Sequence, residues 1–483
     1  MRKSRGLIFY LIVFAIFGSA IYWILENGKK LQDARPGNIS QTLLPASGSN
    51  SFRLFSESLQ TNLHHPLAVL LLQIIVIIAF ARLMGFLFKK IGQPAVIGEI
   101  VAGIVLGPSI LGAFLPEVNH FLFPAASLVN IQFISQIGLI LFMFVIGMEL
   151  EMSAIRKQAY GAFIVSHTSI IVPFASGMVL AYFLYNEFAP ANITFLAFSL
   201  FMGIALSITA FPVLARILQE RNLTKTNLGI MSITSAAIGD LTAWFILAAV
   251  ITIVKAGAAA SIVFSLGMTA IYIAVMIFLV KPLLHHLGVM YAGNASRRKP
   301  IIAVIFMLLL LSAYTTEVIG IHALFGAFIV GVIMPTQFNF REIVTDKIED
   351  VSIVLLLPLF FVFNGLRTQI GLLNQPYLWS ICGWIILVAV AGKFGGSAVS
   401  AKIVGQTWKD SLSIGVLMNT RGLMELIVLN IGYDLGILSP EIFTMMVLMA
   451  LVTTFMTGPA LDLINRIIKK KEDTAKVSAE TSP

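Results

Sequence analysis

The stretch Ser235-Ala236-Ala237-Ile238-Gly239-Asp240-Leu241-Thr242-Ala243-Trp244 lies inside an apolar run from about Leu228 to Val254. A helix over that run is long enough to cross a bilayer core, which takes ~20 residues. Asp240 lies near its middle, where a carboxylate is costly unless it is paired, hydrated or protonated. Acids at this depth usually mark ion or proton paths, and a structural, permanently neutral Asp240 is the alternative.

The composition excludes a soluble protein. Of 483 residues, 58% are hydrophobic and only 11% charged, and the mean hydropathy is +0.93. The apolar runs are long and unbroken, so they predict an all-α polytopic membrane protein and not a barrel. The net charge of +9 does not indicate nucleic acid, because the basic residues gather at helix ends. No zinc-ligand spacing, phosphate-binding loop or Ser/His/Asp arrangement supports an enzyme, and no cofactor is expected.

The chain divides into three predicted parts. Residues 1–64 hold an apolar run, Gly6–Leu25, and a polar, partly disordered extracytoplasmic linker. The run follows Arg2, Lys3 and Arg5, so it could be a signal peptide, but we favour a retained helix. Residues 65–466 contain thirteen spans, and residues 467–483 form a short cytoplasmic tail. Basic residues fall on one side of the spans, which predicts two cytoplasmic termini. The thirteen spans are 65–88, 95–113, 130–149, 159–184, 193–218, 227–254, 261–284, 300–318, 320–335, 350–366, 377–404, 410–432 and 440–466.

Two sequence matches indicate an internal repeat. The segment Leu141–Glu149 on span 3 resembles Leu359–Arg367 on span 10. The pattern Gly98-x4-Gly103-x4-Pro108 on span 2 resembles Gly326-x4-Gly331-x3-Pro335 on span 9. Spans 1–6 then match spans 8–13, and the offset of seven spans inverts the second copy. Inverted repeats are typical of secondary transporters, in which the binding site lies near the midplane.

Polar and helix-breaking residues interrupt spans 5 and 12. Span 5 contains Ser207, Thr209 and Pro212, and span 12 contains Asn419-Thr420-Arg421-Gly422-Leu423-Met424-Glu425. Broken helices at membrane depth line a cavity or are buried in protein, and their free carbonyls can bind a cation. Two plainer interpretations stay open: Pro212 makes a simple kink, and Arg421 with Glu425 forms an i,i+4 pair that only holds the fold.

Lys393 lies midway along span 11, at the depth of Asp240. We therefore predict a Lys393–Asp240 pair exposed in turn to each side, with snorkelling of Lys393 to an interface as the alternative. Glu99 on span 2 is expected to pair with a basic residue of the core charge network, together with Arg421 and Glu425. His167 and His322 are expected to be structural histidines and not proton carriers.

The chain resembles the monovalent cation:proton antiporter-2 family. The resemblance runs from about His65 to Ile464 and is carried by Gln93–Pro108, Gly320–Pro335, Asn419–Leu426 and the Asp240 stretch. It implies a sodium/proton antiporter fold with a scaffold or dimerisation domain and a core containing two crossed, broken helices. The core would comprise spans 3–5 and 10–12 with span 6, and a homodimer is expected.

The resemblance also implies the roles of individual residues. Asp240 matches the ion-binding aspartate and Lys393 the core lysine. Thr209 matches a cation ligand on the broken helix, with Ser207 in the same ion-binding set. Many members carry a second acid, or Asn, where this chain has Gly239. With one carboxylate, the cation and the proton each move a single positive charge, which predicts electroneutral exchange.

The predicted function is therefore secondary active antiport of Na⁺ or K⁺ against H⁺ across a bacterial inner membrane. Asp240 would bind the cation and the proton competitively, so Na⁺ or K⁺ at Asp240 is the only metal expected. Two alternatives stay open: a gated monovalent cation channel, although no repeated carbonyl filter is evident, and a non-transporting membrane sensor.

Overall fold

The computed structural model describes residues 2–33, 51–149, 159–224, 226–256, 259–293, 298–320 and 322–480, and over these ranges the fold contains helices and no strand. It divides into two units, Met1–His65 and Pro66–Pro483. The first unit contains α1 (Arg2–Asp33), which covers the first apolar run, and α2 (Ser51–Leu63). The prediction of an irregular linker over about 26–63 was therefore wrong for residues 26–33 and 51–63, which are helical, and residues 34–50 lie outside the described ranges.

Within the described residues of the second unit, ten helices are long and apolar enough to cross a membrane, so the chain is a multi-pass membrane protein. Helix lies at each of the thirteen predicted spans. The helices are α3 (Pro66–Lys90), α4 (Ala95–Leu106), α5 (Leu111–Phe114), α6 (Pro116–Leu122), α7 (Ala125–Glu149), α8 (Ala159–Phe188), α9 (Phe195–Ser207), α10 (Phe211–Glu220), α11 (Asn227–Ala256), α12 (Ala259–Val275), α13 (Lys281–Gly293), α14 (Arg298–Ile319), α15 (Ala323–Ile333), α16 (Phe340–Asp350), α17 (Leu357–Arg367), α18 (Pro376–Ile403), α19 (Trp408–Met418), α20 (Leu423–Asp434) and α21 (Pro440–Glu480).

Four glycines bring the repeats together in reciprocal pairs. A Cβ built on Gly103 of α4 would lie 2.7 Å from the Cα of Gly365 on α17, and one on Gly147 of α7 would lie 3.0 Å from the Cα of Gly331 on α15. Only glycine allows two helix backbones to approach so closely. Span 2 of the first copy thus packs on span 10 of the second, and span 9 packs on span 3. This exchange is the reciprocal packing expected of two symmetry-related copies and supports the predicted repeat.

The preceding glycine of each motif supports the same symmetry. A Cβ on Gly98 would lie 2.5 Å from the carbonyl oxygen of Met84 on α3. A Cβ on Gly326 would lie 2.5 Å from the carbonyl oxygen of Ser312 on α14. In each copy, therefore, the first glycine packs on the preceding span and the second packs on the other copy.

The helices form two packing groups. The core group contains α8–α11 and α18–α21, and the scaffold group contains α3, α4, α7 and α14–α17. The expected core of spans 3–5 and 10–12 with span 6 was therefore wrong for three spans. Spans 3 and 10, now α7 and α17, pack in the scaffold group because their glycines face α15 and α4. Span 13, now α21, packs on α18 and α19 in the core group.

Candidate functional site

Spans 5 and 12 are each broken into two helices, and the two breaks touch. In span 5, α9 ends at Ser207 and α10 begins at Phe211; in span 12, α19 ends at Met418 and α20 begins at Leu423. The amide of Ala210 donates to the carbonyl of Thr420 at 3.1 Å. The Thr209 hydroxyl donates to the carbonyl of Met418, also at 3.1 Å. The predicted breaks are present and meet, while the crossing angle of the helices stays a prediction.

Two cationic side chains occupy the C-terminal end of α9. The guanidinium of buried Arg421 donates to the carbonyls of Ala205 at 2.8 Å and Leu206 at 2.6 Å. The Lys393 ammonium donates to the next carbonyl, that of Ser207. The last carbonyls of a helix lack amide partners within it and carry the negative end of its dipole, so two cations stabilise this end. In this conformation these three freed carbonyls bind the protein's own cations, and their binding to a transported cation stays a prediction.

Arg421 also makes the predicted i,i+4 pair. Its Nη1 lies 3.3 Å from Oε2 of Glu425, and both side chains are fully buried. The Arg421 amide donates to the Thr454 hydroxyl at 2.9 Å, which ties the break to α21. Glu99 is likewise buried, on α4 of the scaffold group, and its pairing with a basic residue of the core stays a prediction.

The predicted Lys393–Asp240 pair makes no direct contact in this conformation, although the two charges lie close enough to interact electrostatically. The ion pairs of the described residues do not include one between these side chains. Lys393 is fully buried, which also excludes snorkelling. Besides Ser207, its ammonium binds the carbonyl of Ser169 on α8 at 3.0 Å. Both acceptors are main-chain oxygens that have lost their helical partners.

Pro173 explains why the Ser169 carbonyl is available. It lies inside α8, four residues after Ser169, and it has no N–H to complete the helical bond to that carbonyl. The Cα of Pro173 would lie 3.1 Å from a Cβ on Gly392, so glycine lets α18 approach the proline and brings Lys393 within reach. The sequence contained the signal, a proline inside an apolar span, but not which cation would bind the freed carbonyl.

Asp240 keeps a carboxylate oxygen free. Its side chain is only 6% exposed, and the backbone amide of Phe211, the first residue of α10, donates to the carboxylate. Oδ1 has no hydrogen-bond partner among the described residues, and neither does Oδ1 of Asn419 in the break of span 12. Buried oxygens without partners are rare because losing water without a replacement bond is costly. Asp240 on α11 and Asn419 in the break of span 12 therefore each present a buried oxygen suited to a small cation or a proton.

The remaining predicted site residues have partners. The Ser207 hydroxyl donates to the carbonyl of Ile204 at 2.9 Å, and Thr209 donates as described above. A hydroxyl that donates one bond keeps lone pairs for a cation, so neither is excluded as a ligand. His167 contacts the Phe163 carbonyl, and the His322 ring accepts from the amide of Leu324 at the start of α15. Both histidines thus have the structural contacts that we predicted.

Inverted repeats with two helices broken at membrane depth define a secondary transporter. The chain belongs to the sodium/hydrogen exchanger family, whose transmembrane profile matches residues 75–465.

Relatives of known name agree with this assignment. The Na⁺/H⁺ antiporter NhaS4 of Synechocystis is 42% identical over 396 residues, which cover 82% of this chain and 97% of that protein. Cation/H⁺ antiporter 19 of Arabidopsis thaliana is 37% identical over 85% of this chain and 51% of its own. The K⁺/H⁺ antiporter 1 of Saccharomyces cerevisiae is 33% identical over 86% of this chain and 48% of its own. This chain thus spans about half the length of the plant and yeast relatives.

The fold is similar to that of a solved antiporter. The sodium proton antiporter MjNhaP1 from Methanocaldococcus jannaschii superposes with a TM-score of 0.57, covering 83% of this chain and 98% of that one. Sequence identity is 15%, so this likeness bears on the fold alone.

Proposed function

We propose that this protein is a secondary active antiporter that exchanges a monovalent cation, Na⁺ or K⁺, for H⁺. The observation that carries the proposal is the buried carboxylate oxygen of Asp240, which has no hydrogen-bond partner in the part of the chain that the structure describes. One carboxylate can bind a cation or a proton but not both, so the two compete for it and their movements are coupled. Relatives named as Na⁺/H⁺ and K⁺/H⁺ antiporters support the class of substrate and leave both cations open.

Alternating access would arise from movement between the two packing groups. Asp240, Lys393 and both breaks lie on the core group, so that group would carry the ion past the scaffold group. We propose that residues 65–466 form the exchange domain, that the protein is a homodimer in a bacterial inner membrane, and that both termini are cytoplasmic. Basic residues at helix ends, such as Lys89 and Lys90 at the end of α3, support this orientation.

Lys393 would regulate access to Asp240. While its ammonium binds the carbonyls of Ser169 and Ser207, it leaves Oδ1 of Asp240 free for a cation. An ammonium that moved to Asp240 would instead compete with the cation for the carboxylate. Thr209 and Ser207, whose hydroxyls lie at the same break, would contribute further oxygens to the ion.

The test is proton flux in proteoliposomes driven by an inward or outward gradient of Na⁺ or K⁺. An antiporter moves protons against the direction of the imposed cation gradient, and flux requires both ions. With Na⁺ as the substrate and the membrane potential clamped by K⁺ and valinomycin, we expect a rate independent of the potential, because one carboxylate exchanges one positive charge for another. A cation current that persists without protons would indicate a channel and overturn the proposal. A rate that depends strongly on the membrane potential would contradict the electroneutral stoichiometry but not the antiport itself.

Pro173→Ala tests the proposed role of Lys393. The new N–H would bond the Ser169 carbonyl and compete with the ammonium, which would then spend more time at Asp240. Since a hydrogen bond to a charged group contributes roughly 1.5–3 kcal/mol, we expect about a tenfold higher KM for the cation at unchanged maximal rate. The measurement is cation-dependent proton flux in proteoliposomes.

Pro459→Ala is the matched control for this change, since Pro459 also lies inside a helix, α21. It should leave KM unaltered. The effect of Pro173→Ala should also disappear in a Lys393→Ala background, as expected of two residues that act through one contact. An equal rise in KM with and without Lys393 would contradict the proposed role.

A further inference from the structure

A serine from α8 lies against the residue before Asp240. A Cβ built on Gly239 would lie 3.2 Å from Oγ of Ser166, closer than an ordinary van der Waals contact. The space that a side chain at position 239 would need therefore already contains the Ser166 hydroxyl. Ser166 is fully buried, and its Oγ has no hydrogen-bond partner among the described residues.

The lack of a hydrogen bond at the Ser166 hydroxyl, among the described residues, needs a physical explanation. A buried polar group without a hydrogen bond loses its water and gains nothing in exchange, so such groups are rare. Ser169, one turn further along α8, does have a partner, because its hydroxyl donates to the Ser166 carbonyl at 2.7 Å. The Ser166 hydroxyl could turn to a nearby acceptor in the same way, but it lies instead against α11 at Gly239, the residue before Asp240.

The position of Ser166 relates it to both charges of the site. Residues three apart on a helix share a face, and the Ser169 carbonyl on that face binds Lys393. Ser166 meets α11 at Gly239, whose neighbour Asp240 has its own partner-free oxygen. One face of α8 thus contacts the Lys393 ammonium, through the Ser169 carbonyl, and the backbone of α11 at Gly239, through the Ser166 hydroxyl.

We propose that Oγ of Ser166 is a ligand of the transported alkali cation, contributed by α8 alongside Oδ1 of Asp240. This inference rests on the proposed function. A hydroxyl is a neutral hard oxygen whose lone pairs bind such cations, and it adds no charge to the exchange. Gly239 is then required because it leaves room for that hydroxyl.

Two substitutions of Ser166 separate ligation from packing. Ser166→Ala removes the oxygen and some volume, whereas Ser166→Cys keeps a side chain of similar shape but replaces the hard oxygen with a soft sulfur. If the oxygen binds the cation, both variants should raise the KM for Na⁺ or K⁺ about tenfold, with a maximal rate close to that of the wild type. If Ser166 only fills space, the Cys variant should have the wild-type KM, which would overturn the inference.

Ser411→Ala is the matched control. Ser411 is also fully buried with a partner-free hydroxyl, but it lies on α19 eight residues before Asn419, or ~12 Å along the helix. Its loss should leave KM unchanged, and an equal rise in KM would also overturn the inference.

Asp240→Asn distinguishes this inference from the proposed function. If that variant still exchanges at the wild-type rate, the proposed function fails and the inference fails with it. If it is inactive while both Ser166 variants keep the wild-type KM, only the role of Ser166 is lost. The rise in melting temperature on adding Na⁺ or K⁺ gives a readout independent of transport, and it should require a higher cation concentration in both Ser166 variants.

Discussion

Replacing Asp240 by Asn should reduce cation-driven proton flux in proteoliposomes to that of protein-free vesicles, while the protein still folds. The carboxamide has nearly the shape of the carboxylate, and its oxygen can still accept the bond from the Phe211 amide. The carboxamide carries no charge, however, and takes up no proton near neutral pH. The substitution therefore removes the group for which the cation and the proton compete. The variant should therefore lose both halves of the exchange at once.

Asp462→Asn is the matched control, because it makes the same chemical change at an exposed carboxylate paired with Arg221. Exchange should persist in that variant. Thermal unfolding provides the second readout: saturating cation stabilises a protein that binds it, by about 2.7 kcal/mol at a hundredfold excess over Kd. This stabilisation should vanish in Asp240→Asn. Wild-type exchange in that variant would exclude Asp240 as the ion-binding residue.

The positions of the helices could be predicted because membrane spans are recognisable from long apolar runs alone. The repeat could also be recognised in the sequence, since Gly103 and Gly331 recur at equivalent positions and small residues mark close helix packing. The helix on which each glycine packs could not be predicted. Spacing along one helix does not specify which other helix it meets, so spans 3 and 10 were placed in the wrong packing group.

The sequence predicted which charged residues of the candidate site lie deep in the membrane. Asp240, Lys393, Arg421 and Glu425 stand out as ionisable residues within apolar spans. Depth alone pairs Lys393 with Asp240, but a buried ammonium can equally bind main-chain oxygens that lack amide partners. Recognising those acceptors requires knowing where α9 ends and which helix lies beside Pro173, and both depend on tertiary structure.

The contribution of Ser166 was beyond the reach of the sequence for a related reason. Serines are common in membrane helices, where their hydroxyls usually bond a carbonyl three or four residues back, as the Ser169 and Ser400 hydroxyls do. Only the three-dimensional arrangement separates Ser166 from these, because it reveals a hydroxyl without such a bond beside Gly239. A ligand contributed by another helix leaves no spacing pattern around Asp240.

Arg421→Met should cause the largest loss of stability. Methionine keeps an unbranched, flexible side chain but cannot donate, so Glu425 would be left as an uncompensated buried charge and the carbonyls of Ala205 and Leu206 would lose their donors. Removing one partner of a buried ion pair costs roughly 3–5 kcal/mol. We expect this decrease in the free energy of unfolding, measured by denaturant titration in mixed micelles.

Arg53→Met is a closely matched control, because Arg53 and Glu57 form a pair with the same i,i+4 spacing on an exposed helix, with side chains 78% and 59% exposed. Exposed pairs of this kind contribute about 0.3–0.5 kcal/mol, so the control should be nearly neutral. Similar losses of unfolding free energy in the two variants would mean that the buried Arg421–Glu425 pair stabilises the fold no more than an exposed pair does. The C-terminal end of α9 would then have to be stabilised without Arg421. A large loss confined to Arg421→Met would instead identify this residue as the link between the two broken helices, since it lies in one break and binds the last turn of the helix that precedes the other.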